Sequence, residues 1–445
     1  MIRSVRSPVA ALAAAGLAAA MVGGDRAADA HRTGTAARTV ALAYSGEIQG
    51  YLAPCGCSKP MLGGMERRGA ALARLRRAGP AIAVENGDLT EAAERQDELK
   101  AEALAAMLSE LRYDAVAVGE KDLALGFQAL ISLQARAGTP FICANVDDAS
   151  GNPLFGSSVT VTRKIGAGVL RVGIVAALSP RLADRAALPA GEFRIAAPYV
   201  ALRRALAELK AVHTRVLLFH GLRDEASDLA RRLPGLDLVV YAHGPDPPPP
   251  PVRVAKALLV GGGARGKALN VASVSTSGKV TGVGRIALGE AAGSDPAIGR
   301  LKRAYLDRVA SEDLLGRMAR VAAPGGATYA GSGACAPCHA GAARSWQSSR
   351  HATALRTLVA RHEDRDPECV PCHVTGAQHE GGYRHGDDHL AGVGCESCHG
   401  PAAAHARSGL APLPSRGGKA ACLSCHVPDH SPSFRFEVYW PRIRH

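Results

Sequence analysis

The sequence predicts an α/β layer fold followed by a mainly α-helical and irregular domain, and three observations carry that prediction. Strand-like and helix-like runs alternate from Thr39 to about residue 290. Several of the apolar runs lead into a carboxylate or a histidine. From about Tyr329 the hydrophobic periodicity fades into a Gly-, Pro- and His-rich stretch in which C-x-x-C-H recurs. A chain of 445 residues has room for two or three domains, and 47 % hydrophobic residues is enough material for a core.

The N-terminus carries a basic head (Arg3, Arg6), an apolar run from Val9 to Gly24, and the small residues "ADA" at 28 to 30. This pattern reads as a signal peptide over 1–30, cleaved near Ala30, which would deliver the chain to the periplasm. The run is short for a bilayer span, and a retained anchor is the alternative. Export makes disulfides permissible for the eleven cysteines. Eight of them follow a different pattern.

Between residues 36 and 290 the elements come in a regular order. "TVALAY" reads as a strand, "ERRGAALARLRRAG" as an amphipathic helix, "AIAVENGDL" as a strand and "DELKAEALAAMLSEL" as a helix. "YDAVAVGEKD", "FICANV", "VLRVGIVAAL", "RVLLFHG" and "DLVVYAHG" then supply further strands around the helical "DEASDLARRLPG". Interleaved strands and helices give layers, and ligands bind at the C-terminal ends of such strands. Glu47, Asp88, Glu120, His220 and His243 fall at those ends. Residues 291–328 form a helical linker, in which 295–321 has apolar positions at helical spacing and "APGGA" reads as a hinge.

The last segment, 329–445, contains "CAPCH" (Cys335, Cys338, His339), "CVPCH" (Cys369, Cys372, His373), "CESCH" (Cys395, Cys398, His399) and "CLSCH" (Cys422, Cys425, His426). The spacing lets two thiols bond the two vinyl groups of one haem while the adjoining imidazole ligates its iron. Zinc knuckles do not require a histidine after every second cysteine. Four covalently bound c-type haems are therefore expected, with the macrocycles supplying the core that this composition lacks. A low-spin haem needs a second axial ligand, and the segment holds eight further histidines from which to draw it.

"YAGSGACAPCHAGAARSWQSSRHATAL", "HLAGVGCESCHGPAAAHA" and "FRFEVYWPRIRH" resemble the cytochrome c-554 family of multihaem cytochromes, over roughly residues 329 to 445. The resemblance implies electron transfer. It points to His351 and His405 as distal iron ligands, followed by His389 and His445, and leaves His362, His379, His385 and His430 on the surface. Some members of that family keep one iron five-coordinate.

The order of blocks from about 38 to 290 resembles the calcineurin-like metallophosphoesterases, in the periplasmic 5′-nucleotidase branch that includes the thiosulfohydrolase of sulfur oxidation. This implies a four-layer α/β sandwich. The family's two-ion site is built from Asp-x-His, Gly-Asp, Gly-Asn-His-Glu, a lone His and Gly-His-x-His. Here "NGDL", "LLFHG" and "YAHG" supply Asp88, His220 and His243. "SGEIQG" puts Glu47 and Gln49 in place of Asp and His, "GEKD" puts Glu120 and Lys121 in place of Asn and His, and Pro245 replaces the last His. Two-ion hydrolysis needs both ions, and these changes remove ligands from each. Lys121 is expected to put a cation beside the site. One divalent metal on Glu47, Asp88, Glu120, His220 and His243, or none, are the two readings.

Cys55 and Cys57, in "PCGCSKPMLGG", follow the first strand and are read as a redox pair or a metal site, or else as loop-shaping residues. Cys143, in "FICANV", reads as a buried core thiol. The formal charge of +13 overstates the positive surface, because four haems bring about eight propionates; with no basic patches interleaved with aromatics, no nucleic-acid partner is inferred. The expected function is a periplasmic tetrahaem electron-transfer protein coupled to a degenerate phosphoesterase-like domain, exchanging electrons with periplasmic or membrane proteins. The alternative is a metal-dependent hydrolase of a small phosphate or sulfur ester with an attached cytochrome. Whether the chain is an oxidoreductase in its own right stays open, and the incomplete ligand set argues against hydrolysis.

Overall fold

Two six-stranded sheets face each other across an apolar layer, and helices cover their outer faces. The computed structural model describes residues 39–55, 60–412, 415, 417–428 and 430–445. The signal peptide expected over 1–30 lies outside them. Among the described residues no helix is long and apolar enough to cross a membrane.

The first sheet contains β1 (Thr39–Ser45), β4 (Ala81–Glu85), β5 (Ala115–Ala117) and β6 (Phe141–Ile142) as parallel neighbours. β15 (Ala268–Ser275) and β16 (Val280–Ala287) extend it antiparallel beyond β1. A two-residue hairpin, β2 (Pro54–Cys55) with β3 (Leu62–Gly63), leaves the loop after β1. In the second sheet β9 (Gly168–Leu178), β11 (Thr214–His220), β12 (Leu238–Tyr241) and β14 (Ala257–Gly261) run parallel. Antiparallel β8 (Ser158–Ile165) and β13 (Val252–Val254) close its edges. A short pair, β7 (Val146–Asp148) with β10 (Phe193–Ile195), lies outside both sheets.

Parallel strands covered on both faces must be apolar throughout, which is why the TVALAY, AIAVE, VGIVAAL and RVLLFH runs do not alternate strictly. Val40, Leu42 and Val84 of one sheet meet Ile174, Val216 and Val240 of the other, all fully buried. Each such side chain contributes about 1.5–3 kcal/mol of burial.

Outside the first sheet lie α1 (Met65–Ala78), α2 (Arg95–Glu110), α3 (Glu120–Ala124) and α4 (Phe127–Ala137). Over the second, after the single turn α5 (Pro180–Ala183), lie α6 (Pro198–Glu208) and α7 (Arg223–Arg232). The order helix, sheet, sheet, helix is the four-layer sandwich.

The segment read as a linker is built into this sandwich. Its helix α8 (Pro296–Ser311), capped by Asp295 through Ala297 N–H at 2.9 Å, buries Ile298, Tyr305, Leu306 and Val309 in the core outside the first sheet. The chain then turns at Asp313, which takes a positive φ of 48°, so the helix ends well short of residue 321.

Beyond it the C-terminal part is short helices and turns around a small apolar cluster of Leu315, Leu358, Val370, Val374, Ala377, Tyr383 and Leu390. Polar bonds do much of the rest. Glu396, inside the third C-x-x-C-H motif, is 4 % exposed. It accepts N–H groups from Ala330 (2.8 Å), Gly331 (2.7 Å) and Ala402 (2.7 Å). One carboxylate thus fastens the approach to the first motif onto the third.

Candidate functional sites

Strands of both sheets end on the same edge, and each delivers one or two groups there. Glu47 lies two residues past β1, Asp88 three past β4, and Glu120 opens α3 just after β5. His220 is the last residue of β11, and His243 follows β12. Single ligand atoms of Glu47, Asp88, His220 and His243 lie within 4.8 Å of one another. His220 Nε2 is 2.9 Å from a Glu120 oxygen and 3.4 Å from Asp88 Oδ1. His243 Nε2 is 3.0 Å from His220 Nε2, 3.2 Å from Glu120, 3.3 Å from Glu47 and 3.6 Å from Asp88. The five residues predicted from the sequence therefore converge.

The backbone is bent to achieve this. Gln49, Asp88 and His243 take positive φ values of 53°, 50° and 47°, a region that costs a non-glycine residue about 1 kcal/mol or more. Gly119 has to be glycine, because a Cβ there would sit 2.1 Å from Asp88 Oδ1 and 2.7 Å from His220 Cε1.

Two residues that the sequence reading passed over do the positioning. Asp122 accepts N–H groups from Asp88 (2.9 Å), Leu89 (2.8 Å) and Gly119 (2.9 Å). Burial and the nearby Asp88 charge raise its pKa to about 7. Asn86 donates to the carbonyls of Phe219 (3.2 Å) and Val240 (3.3 Å), tying the loop after β4 to β11 and β12. The signal for Asp122 was present as a carboxylate three residues into "GEKD", where it closes the helix N-terminus.

His220 is fully buried, and its Nδ1 lies 2.5 Å from the Asn86 carbonyl. A carbonyl only accepts, so Nδ1 carries the proton in the neutral ring and Nε2 presents a lone pair to the carboxylates. A metal-binding imidazole is held in this way. Asp88 Oδ2 is buried and makes no hydrogen bond, and the buried Glu120 Oε2 meets only the His220 ring at 2.9 Å. Lone pairs converging without donors require either protons or a cation. In the ion-free protein the protons win: burial opposes charge on His220, but Asp88 and Glu120 outweigh it and raise its pKa well above the usual value. His243 is raised in the same way, against burial, by Glu120 and Glu47. Glu120, despite burial, is held far below the carboxylate range by the two histidines. Burial pushes Glu47 up.

The Lys121 ammonium pairs with Glu91 at 2.9 Å while staying within electrostatic reach of Glu47, Asp88 and Glu120, and its backbone N–H donates to Asp88 Oδ1 at 3.0 Å. The thiol pair expected at Cys55 and Cys57 lies outside the described residues, apart from the backbone of Cys55, which pairs with Leu62. Cys143 is 1 % exposed, in the core outside the first sheet.

In the C-terminal part the four attachment motifs come close together, and their histidines meet others. His339 faces His405 with ring centroids 6.2 Å apart, His426 faces His351 at 6.3 Å, and His399 faces His445 at 5.9 Å. Two imidazoles on opposite sides of one iron, at a metal–nitrogen distance of about 2.0 Å, have centroids about 6 Å apart. The tautomers fit as well. Nδ1 of His373, His399, His405 and His445 lies 2.9, 3.1, 2.7 and 3.2 Å from the carbonyls of Ala354, Ser415, Ala411 and Ile443, leaving Nε2 available. The residues present therefore fit a haem at each of these three pairs.

His373 and His389 differ. Among the described residues no ring contact places a second histidine across from His373. His389 is exposed and packs by Gly331 rather than facing an attachment histidine. His379, expected on the surface, is half-buried, and its Nδ1 lies 2.6 Å from the Tyr329 hydroxyl. None of the eight attachment cysteines forms a disulfide.

Comparison with known proteins separates the two parts of the chain. Residues 334–400, which hold the first three motifs, match the family described as cytochrome c554 and c-prime. Cytochrome c-554 of Nitrosomonas europaea is 37 % identical over 92 residues, 17 % of this chain and 39 % of that protein. In fold, a 5′-nucleotidase precursor of Thermus thermophilus is similar at a TM-score of 0.53 and 24 % identity, covering 64 % of this chain and 61 % of that one. The sulfate thiohydrolase SoxB of Thermus thermophilus follows at 0.52 and 19 %, covering 60 % of each chain. A calcineurin-like phosphoesterase of Bacillus subtilis follows at 0.51 and 16 %, covering 61 % of this chain and 97 % of that one. The chain thus spans under two fifths of the curated relative and about three fifths of the first two structures. Residues 334–400 of this chain thus match the cytochrome c-554 family model, and its N-terminal sandwich has the fold of the 5′-nucleotidase and calcineurin-like metallophosphoesterases.

Proposed function

We propose that the chain is an exported, periplasmic tetrahaem cytochrome that passes electrons between protein partners, with a phosphoesterase-like sandwich that holds a single divalent cation. The observation that carries this reading is the set of three imidazole pairs 5.9 to 6.3 Å apart, each joining one attachment histidine to a distant one. Haem bound there supplies one-electron chemistry. The chain's own contribution is to orient His399, His405 and His445 through Nδ1 contacts with backbone carbonyls and His426 through the Ser431 hydroxyl, and to hold the first and third motifs together through Glu396. His339 with His405, His426 with His351, and His399 with His445 would each hold one haem iron, and His373 would hold the fourth. The thiol pair Cys55 and Cys57 is proposed as a redox site at the sandwich edge.

A mononuclear cation site is favoured by five converging ligands with lone pairs unmatched by donors. Mixed carboxylate and imidazole ligation suits manganese, iron or zinc. The second reading, hydrolysis of a phosphate or sulfur ester, rests on this same cluster. It is disfavoured by Gln49, Lys121 and Pro245, which leave the second ion of a two-metal mechanism without its ligands. The test is a dithionite titration of the mature protein in parallel with a manganese- or zinc-dependent phosphoesterase assay. The proposal expects c-type α and Soret bands on reduction and no turnover. Turnover that is lost on Asp88→Ala and His220→Ala, without haem bands, would favour the hydrolase.

A further inference from the structure

The hydrogen bonds and ion pairs that join the C-terminal part to the sandwich gather on the few residues before Cys369. Glu363 pairs with Lys302 of α8 at 3.3 Å, and Arg365 reaches the Ala310 carbonyl at 3.4 Å. Asp366 is buried and accepts from Gln96 of α2 at 2.8 Å and from the Glu368 N–H at 2.9 Å. Its carbonyl accepts the N–H groups of Cys369 (3.1 Å) and Val370 (3.0 Å), so the turn that carries the attachment cysteines grows directly out of this anchor. Tyr305, in the sandwich core, shares a bond with Gln96 (2.9 Å) and interacts electrostatically with Asp366, Glu368 and Cys369.

Lys100 of α2 closes the connection. It is 7 % exposed as a residue, and its ammonium is bonded to Glu368, the residue immediately before Cys369. The same ammonium would lie 3.3 Å from a Cβ placed on Gly50, so it sits against the loop Glu47–Gly50. That loop is pinned beside the acidic and histidine cluster by Gln49 N–H on the Asp88 carbonyl (2.9 Å) and Gly50 N–H on the Leu89 carbonyl (2.7 Å). One nearly buried cation thus touches both the cluster's loop and the stem of the second attachment motif, the motif whose His373 faces no second histidine among the described residues.

We propose that the Cys369–Cys372 attachment site is the haem site seated against the sandwich, and that Lys100 is the positioning residue that sets its reduction potential by neutralising Glu368. This rests on the haem reading above. Ferric haem carries one more positive charge than ferrous haem, so a nearby carboxylate favours the ferric form and a nearby ammonium the ferrous form. Lys100 is nearly buried while Glu368 is half-exposed, so the pair is only partly screened by salt and removal of either partner leaves the other charge facing the macrocycle. The two removals must act in opposite directions, whereas general damage to the seam would move both variants the same way.

The experiment is spectroelectrochemical titration of the full haem-loaded chain and of Lys100→Gln, Lys100→Arg and Glu368→Gln, with His373→Met marking the haem concerned. Lys100→Gln is expected to lower one of four potentials and Glu368→Gln to raise the same one. Each shift should approach a tenfold change in the reduction equilibrium, which for one electron is about 59 mV. Lys100→Arg should leave it near the parent value, and the other three haems should not move. No shift, a shift of both variants in one direction, or a shift confined to a haem other than the marked one overturns the proposal. If Lys100→Gln does not fold, Glu368→Gln decides alone, because that side chain is 55 % exposed: a rise supports the proposal and an unchanged potential overturns it. A haem count below four in the parent chain would instead show failure of the underlying haem reading.

Discussion

His351 and His426 stand with ring centroids 6.3 Å apart, although one follows the first attachment motif and the other closes the fourth. His339 and His405, and His399 and His445, cross the sequence in the same manner. Each of these contacts joins an attachment histidine to a segment that lies beyond another motif.

The axial pairing gives a direct spectroscopic expectation. His351→Ala, His405→Ala and His445→Ala should each convert one low-spin ferric haem into a high-spin one, as read by electron paramagnetic resonance. His389→Ala, at an exposed side chain, should leave the spectrum unchanged. A new high-spin signal in His389→Ala would place that residue on iron.

Glu396 holds three backbone N–H groups from two separate segments while almost fully buried. Charge-assisted hydrogen bonds are worth about 1.5–3 kcal/mol, and Glu396→Gln keeps the shape but loses the charge. Urea unfolding of the haem-loaded protein should show a loss of about 2–3 kcal/mol. A change below about 0.5 kcal/mol would mean that the fastening is unimportant.

The sandwich site should bind about one divalent cation per chain, measured by elemental analysis after dialysis against manganese. Asp88→Ala and His220→Ala should abolish it. Gly119→Ala should do so too, because its Cβ would overlap Asp88 Oδ1. The ion must displace the protons held on His220 and His243, whose pKa values are raised by the facing carboxylates once the opposing burial is outweighed. Affinity should therefore rise with pH from about 6 upward. Without an ion the sign runs the other way. The charged imidazoles stabilise the fold fully below the ordinary histidine value, and that contribution is lost as pH rises through the raised one.

Burial pushes the Cys143 thiol up to about 11, so almost no thiolate exists at pH 8. Iodoacetamide should leave Cys143 unmodified in the native protein and label it once the protein is unfolded. If haem occupies the eight attachment cysteines as proposed, native labelling is expected at Cys55 and Cys57 alone. Labelling of Cys143 itself in the native state would contradict its burial in the core outside the first sheet.

Much of this was legible in the sequence, for identifiable reasons. Unalternating apolar runs such as VGIVAAL specify parallel strands buried on both faces, and their polar ends marked Glu47, Asp88, Glu120, His220 and His243 before any geometry was known. The direction of Lys121 was not legible, because adjacent helical positions point roughly 100° apart and only the structure shows which face meets Asp88. The carboxylate of Asp122 was visible in "GEKD", but two of the three N–H groups it binds belong to the loop after β4, a pairing that the sequence does not display. Nor could the pairing of the histidines be derived from spacing, since each partner lies beyond another motif. That is why His389 ranked beside His445 when only His445 faces an attachment histidine. Helical periodicity in 295–321 announced a packed apolar face but not which core it joins, and α8 packs on the sandwich.

The central claim is that four haems are covalently held by this one chain. Pyridine haemochrome quantification of the purified mature protein, set against amino-acid analysis, tests it most directly. The account predicts four c-type haems per chain, falling to three when Cys422 and Cys425 are both replaced by Ser. Three or fewer in the parent protein, or haem that extracts into acidified organic solvent, would contradict it.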